Sequence, residues 1–127
     1  MAIGDIGGVI TELVITCMTP REGAIGIAKG DALKLADGYV VTNVTSAEDV
    51  VFGQAMANTT ENDAYIPVKV RGVCKFAYTG ETAPTVNGAA GIAASATDGS
   101  VKAPASGNGK GINLKVDTSA KTVEVLL

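Results

Sequence analysis

Few residues in this chain can do chemistry. None of its 127 residues is histidine, the commonest general acid–base and the usual partner of nucleophilic serine or cysteine. A Ser-His-Asp or Cys-His set therefore cannot be built. Carboxylates fall close together at Glu48-Asp49 and at Glu61 with Asp63. Both pairs lie in polar loop sequence, where carboxylates are solvated rather than held in a cleft. Asp31, Asp37 and Asp98 each adjoin a glycine, which fits turn positions and needs no catalytic role. Asn62-Asp63 does not complete a calcium loop of the D-x-D-x-D-G type. Cys17 and Cys74 are far apart and belong to no C-x-x-C pair, so no metal-ligand set forms around them. Gly107-Asn108-Gly109 continues to Gly111 but precedes a strand pattern rather than a helix, so a phosphate-cradling loop fails on context. The expectation is no enzyme, no catalytic residue, no metal and no cofactor.

The elements that carry these residues read as strands. From Ala64 to Tyr78, the even positions from Ile66 onward (Ile66, Val68, Val70, Gly72, Cys74, Phe76 and Tyr78) fall on one side. A period of two marks a strand with one buried face, and this one outlasts the usual 5–6 residues or so. Gly72 lies inside it, where glycine marks a bend at a barrel corner. The stretch is one bent strand or two strands sharing one inner face, with Lys69, Arg71 and Lys75 on the outer, solvated side. Cys74 alternates with Val and Phe, so a buried reduced thiol is its simplest reading. A disulfide with Cys17 stays open.

The composition is 46% hydrophobic but only 4% aromatic, so the core must be aliphatic. The β-branched residues and glycines favour short strands joined by turns. The net charge of −3 argues against nucleic acid, which asks for a basic patch. No stretch approaches a membrane-spanning length, and the start lacks the basic region of a signal peptide. A chain made and folded in a cytosol is expected.

Taken in order, residues 1–11 scatter Ile3, Ile6, Val9 and Ile10 among glycines. They are too flexible for a helix and too apolar for a free tail. An arm that lies on another surface and a frayed terminus both fit. Residues 12–127 form one β domain. Glu12–Met18 is a first strand with Leu13, Ile15 and Cys17 on one face. Asp37-Gly38 predicts a tight hairpin turn, with Leu35 facing Val40 and Leu33 facing Thr42. Residues 45–49 give at most one helical turn, followed by a strand over Val50–Ala57. Asp98-Gly99 centres a small-residue hairpin in which Ala96 faces Val101, Ala94 faces Ala103 and Ile92 faces Ala105. Its small side chains allow close approach, so Ile92, Ala94, Ala96 and Val101 are candidate contacts between subunits. Residues 106–111 are expected to be a mobile loop. In the last hairpin Ile112, Leu114 and Val116 face inward, Asp117 pairs with Thr122, Leu114 meets Val125 and Lys115 meets Glu124. The nine or ten short strands add up to an all-β fold, a small β-barrel or sandwich of antiparallel strands.

Three segments carry a resemblance: Gly30-Asp31-Ala32-Leu33, then Val51-Phe52-Gly53-Gln54-Ala55, then Val68-Lys69-Val70-Arg71-Gly72-Val73. A second glycine-centred segment at Val86–Ala93 and the Asp98-Gly99-Ser100-Val101 hairpin follow. In this order and spacing, over Thr16 to Leu127, the chain resembles the tailed-bacteriophage capsid cement, or head decoration, proteins. That resemblance implies a small β-barrel virion protein on the outer capsid surface, bound to the major capsid protein, as a trimer where capsomers meet. The arm residues Ile3, Ile6, Val9 and Ile10 are then candidate capsid contacts. The sequence departs from the pattern at Glu61-Asn62-Asp63, where such proteins often place a glycine, and in its arm of about ten residues. A soluble carbohydrate- or protein-binding module is the alternative. It asks for clustered exposed aromatics, for which Tyr39, Tyr65 and Tyr78 are the candidates, Tyr78 being expected to face inward.

Overall fold

The computed structural model describes residues 12–127 and, ahead of them, Ile3. Ten strands follow one another: β1 (Leu13–Met18), β2 (Ala32–Asp37), β3 (Val40–Asn43), β4 (Gly53–Ala55), β5 (Tyr65–Arg71), β6 (Val73–Ala77), β7 (Ala93–Ala94), β8 (Val101–Lys102), β9 (Ile112–Asp117) and β10 (Thr122–Leu126). The first five close into a barrel in the order β1-β3-β2-β4-β5, with β5 returning to β1. All its pairings are antiparallel except a short parallel contact of β1 with β3 at Met18 and Val40. Next to the barrel stand the sheet β6-β10-β9 and the small hairpin β7-β8. The fold is all-β, as the strand periodicity predicts.

The long alternating stretch is broken at Gly72 into β5 and β6. Gly72 adopts φ +118°, and a β-carbon there would lie 3.0 Å from Lys69 Cε and 3.2 Å from Glu12 Cγ. The alternation survives the break, but the two halves do not share one inner face. Ile66 and Val68 pack in the barrel with Cys17, Ile27, Leu33, Val41 and Ala55. Cys74, Phe76 and Tyr78 pack in a second core with Val123, Val125, Ile92, Ala94 and Val101. Gln54 ties the two bodies together, its Nε2 donating to the Lys75 carbonyl at 2.7 Å. Close approach inside the barrel depends on Gly53, whose missing β-carbon would lie 2.6 Å from the Lys69 carbonyl oxygen.

Several registers differ from expectation for local reasons. In the β2–β3 hairpin Leu35 faces Val41 and Leu33 faces Asn43, because the ladder slips at Ala36. The left-handed residue of that turn is Tyr39, at φ +58°, so Asp37-Gly38 does not fill both central positions of a primed turn. Residues 46–49 make a single tight turn, closed by the Asp49 N–H on the Ser46 carbonyl at 3.2 Å, within the limit of one turn expected there, but β4 spans three residues rather than Val50–Ala57. The small-residue hairpin pairs Ala94 with Val101 and Ala93 with Lys102. Its turn is Thr97–Ser100, closed by the Ser100 N–H on the Thr97 carbonyl at 3.1 Å. In the last hairpin Asp117 faces Thr122 and Lys115 faces Glu124 as expected, but a bulge then sets Val125 against Asn113. Asn113 therefore turns inward and is buried, while Ile112 and Leu114 are exposed. Within residues 106–111, Lys110 is strapped to Ile92. The Ile92 N–H donates to the Lys110 carbonyl at 3.0 Å and the Lys110 N–H returns to the Ile92 carbonyl at 2.8 Å.

Candidate docking surface

The residues singled out for chemistry are dispersed by the fold. Glu48 and Asp49 are not a pair: Glu48 bonds the Lys102 ammonium, and Asp49 bonds Lys34 Nζ at 2.9 Å. The Lys102 hydrogen bond is the main reason that the Glu48 carboxyl titrates below its usual range. Asp63 lies 3.8 Å from Arg21 Nε at the surface. Cys17 and Cys74 are both free and buried, one in each core. Burial pushes both thiols up in pKa, and at Cys74 the Lys69 charge partly offsets it. Among the described residues no group of three or more Asp, Glu, Cys or His could hold a metal ion.

The expected cationic face is also corrected. Arg71 and Lys75 are exposed, but Lys69 is buried, with 10% of its side chain accessible. β5 sits in the barrel wall beside the joint, and Gly72 leaves room there for the lysine stem. Lys69 Nζ donates to Glu12 Oε1 and to the Val73 carbonyl, both at 2.8 Å. One side chain thus links the barrel, the chain entering β1 and the start of β6. The last pairing of β6 and β10 lies at the same joint, where the Leu127 N–H donates to the Gly72 carbonyl at 2.9 Å.

Around this joint the surface turns apolar. In antiparallel pairs directly opposed residues share a face. Leu126 of β10 opposes Val73 on one side and Ile112 on the other, and all three are exposed. The next row outward is Lys75–Glu124–Lys115, alternating in sign, and the third is Ala77–Thr122–Asp117. Exposed Leu13 opposes Arg71 at the adjoining corner of the barrel. The face thus carries an apolar row next to the joint, with a charged row behind it.

Of the candidate subunit contacts, Ile92, Ala94 and Val101 are corrected. They are fully enclosed in the chain's own second core, where small side chains serve packing inside one subunit. Ala96 is exposed at the hairpin turn. Of the candidate capsid contacts, Ile3 is exposed, while Ile6, Val9 and Ile10 lie outside the described residues. The apolar row escaped sequence reading because Ile112 reads as an inward residue. The β9 bulge reverses it, and the one signal was Asn113 standing in the middle of an apolar strand. No protein-family model matches the chain, and no curated protein matches it.

Proposed function

We propose that this chain is a structural virion protein that binds the outer surface of an assembled phage capsid and reinforces it. The observation that carries the reading is the exposed row Val73–Leu126–Ile112 beside Glu12, the point where the chain enters the barrel from its apolar first residues. In this reading the row and residues Ile3, Ile6, Val9 and Ile10 together meet the major capsid protein. The order of glycine-centred motifs, which resembles that of cement proteins, supports it, as does an all-β fold with two packed cores.

Magnitudes say how such a contact must work. Full burial of an aliphatic side chain is worth about 1.5–3 kcal/mol. The three row residues are already more than half covered, so docking recovers roughly 1 kcal/mol from each. Association costs at least about 4 kcal/mol, so the row alone does not hold one copy on a shell. The arm must add apolar contact, and a homotrimer on a repeating lattice multiplies modest contacts through effective concentration.

The test is co-sedimentation of the protein with purified mature shells lacking it. Wild type is expected to pellet with shells and to raise the temperature at which they release DNA. Leu126→Lys and removal of residues 1–11 are each expected to reduce binding at least tenfold, with the circular dichroism spectrum unchanged. Wild-type protein left wholly in the supernatant, or both variants bound like wild type, refutes the reading.

A further inference from the structure

We propose that the free edge of β9 is a two-fold contact between copies of this chain, in which two β9 strands pair antiparallel about Val116. It goes beyond the capsid reading, since a two-fold contact does not build a trimer and its test involves no capsid. β9 is the outer strand of the sheet β6-β10-β9. Its start is covered: the Asn113 N–H donates to the Ala90 carbonyl at 3.2 Å, and Lys110 is bonded to Ile92. From Leu114 onward, among the described residues, β9 pairs with β10 alone and no backbone–backbone hydrogen bond reaches it from another segment. Leu114, Lys115 and Asp117 are exposed there and Val116 is half-buried. An open strand edge is a template for adding another strand.

The residues on this edge say which strand fits. Opposed residues of an antiparallel pair share a face, so an outward residue of one copy must oppose an outward residue of the other. Lys115, opposite Glu124, and Asp117, opposite Thr122, lie on the outer face, while Val116, opposite Val123, packs against the second core. Three registers then remain for this edge meeting itself. Centring on Lys115 brings two ammonium groups together, and centring on Asp117 brings two carboxylates together. Like charges directly opposed are destabilising. Centring on Val116 sets Lys115 of each copy opposite Asp117 of the other, with β-carbons about 5 Å apart. The outer row Lys75–Glu124–Lys115 of one copy is then continued by Asp117 of the second, alternating in sign across the seam. That carboxylate has room for the added bond. The Ser119 and Ala120 N–H groups both use its Oδ1, which leaves Oδ2 open. On the inner face the two Val116 side chains meet and continue the apolar layer. An edge lysine ordinarily blunts strand addition. Here it narrows the partner to a strand with a carboxylate opposite, which β9 itself offers.

One short strand makes a small interface, so a dissociation constant of roughly 0.1–1 mM is expected. The full chain is followed across that range by amide spectra and sedimentation equilibrium. Concentration-dependent shifts are expected at residues 114–118, together with a two-fold rise in mass. A carbodiimide should join Lys115 of one copy to Asp117 of another, linking two copies of the same tryptic segment. Lys115→Glu and Asp117→Lys each place like charges at both ends of the pairing and are expected to weaken it roughly tenfold. Mixed one to one, the two variants restore opposite charges at both ends, so the mixture is expected to associate about as tightly as wild type. Asp117→Lys also loses the Ser119 and Ala120 bonds, so circular dichroism checks its fold, and the wild-type cross-link reads the contact without any variant. The proposal is overturned if the amides of residues 114–118 hold still over that range, if no Lys115–Asp117 link forms between copies, if Lys115→Glu associates like wild type, or if the two folded variants mixed associate no better than either alone.

Discussion

Lys69 makes the sharpest energetic test of the joint. Its ammonium has two partners, Glu12 and the Val73 carbonyl, each at 2.8 Å, and its side chain is 10% accessible, whereas that of Glu12 is 43% accessible. The two partners should therefore not be equivalent. Glu12→Ala leaves a buried cation with one neutral acceptor. A charge-assisted hydrogen bond is worth about 1.5–3 kcal/mol, and partial exposure of the carboxylate reduces this to roughly 1–2 kcal/mol. Lys69→Met removes the cation together with its need for partners and keeps an unbranched apolar stem, so its cost should stay within about 1 kcal/mol. In the double variant the Glu12 change should add nothing, because its partner is gone. Urea unfolding reads this directly. With a slope of about 2 kcal/mol per molar urea, Glu12→Ala should lower the midpoint by about 0.5–1 M with the slope unchanged. If Glu12→Ala matches wild type while Lys69→Met loses more than about 2 kcal/mol, the lysine stem holds the joint by packing, and the assignment of the ion pair is wrong.

Gly109→Ala should break the strap on Lys110. Its β-carbon would lie 2.6 Å from the Ile92 carbonyl carbon, and losing the two Ile92–Lys110 bonds costs about 2 kcal/mol. Hydrogen exchange at Ile92 and Lys110 should accelerate, and unchanged protection would contradict the strap. Asp117 accepts the Ala120 and Ser119 N–H groups, both at 3.0 Å, and the Ala120 bond is the main reason its carboxyl is held below the ordinary 3.8. A lowered folded pKa gives stability that is present above the unfolded value and is lost as pH falls through the folded one. Melting temperature should therefore fall on acidification below 3.8, and Asp117→Asn should flatten that fall. Both thiols, buried and raised in pKa, should ignore an aromatic disulfide reagent in the native protein and react two per chain in denaturant.

The elements were legible where side-chain period and backbone agree. β1, β5, β6 and β10 show their alternation directly, and the Asp117–Thr122 register follows from the residues alone. What could not be read were slips of one residue. The β9 bulge exchanges Asn113 for Leu114 on the inner face, and the β2 slip at Ala36 moves Leu35 from Val40 to Val41. Neither leaves a trace in composition, because a bulge is fixed by backbone pairing across strands. Lys69 misled for a related reason. Alternation placed it on an outer face, but at a junction of two sheets the outer side of one strand is covered by the chain of the next. The Val73–Leu126–Ile112 row is a product of pairing between distant segments.

Ala32 packs in the second core and its neighbour Leu33 in the barrel, so one strand is the common wall of both. A slip of β2 by a single residue that set Leu33 in the place of Ala32 would push a leucine into a space shaped for alanine and bring Lys34 into the barrel core in its stead. Each body thus proofreads the other's register. Neither can loosen while its neighbour stays intact, so heat should melt the two cores in one transition, with calorimetric and van't Hoff enthalpies in agreement.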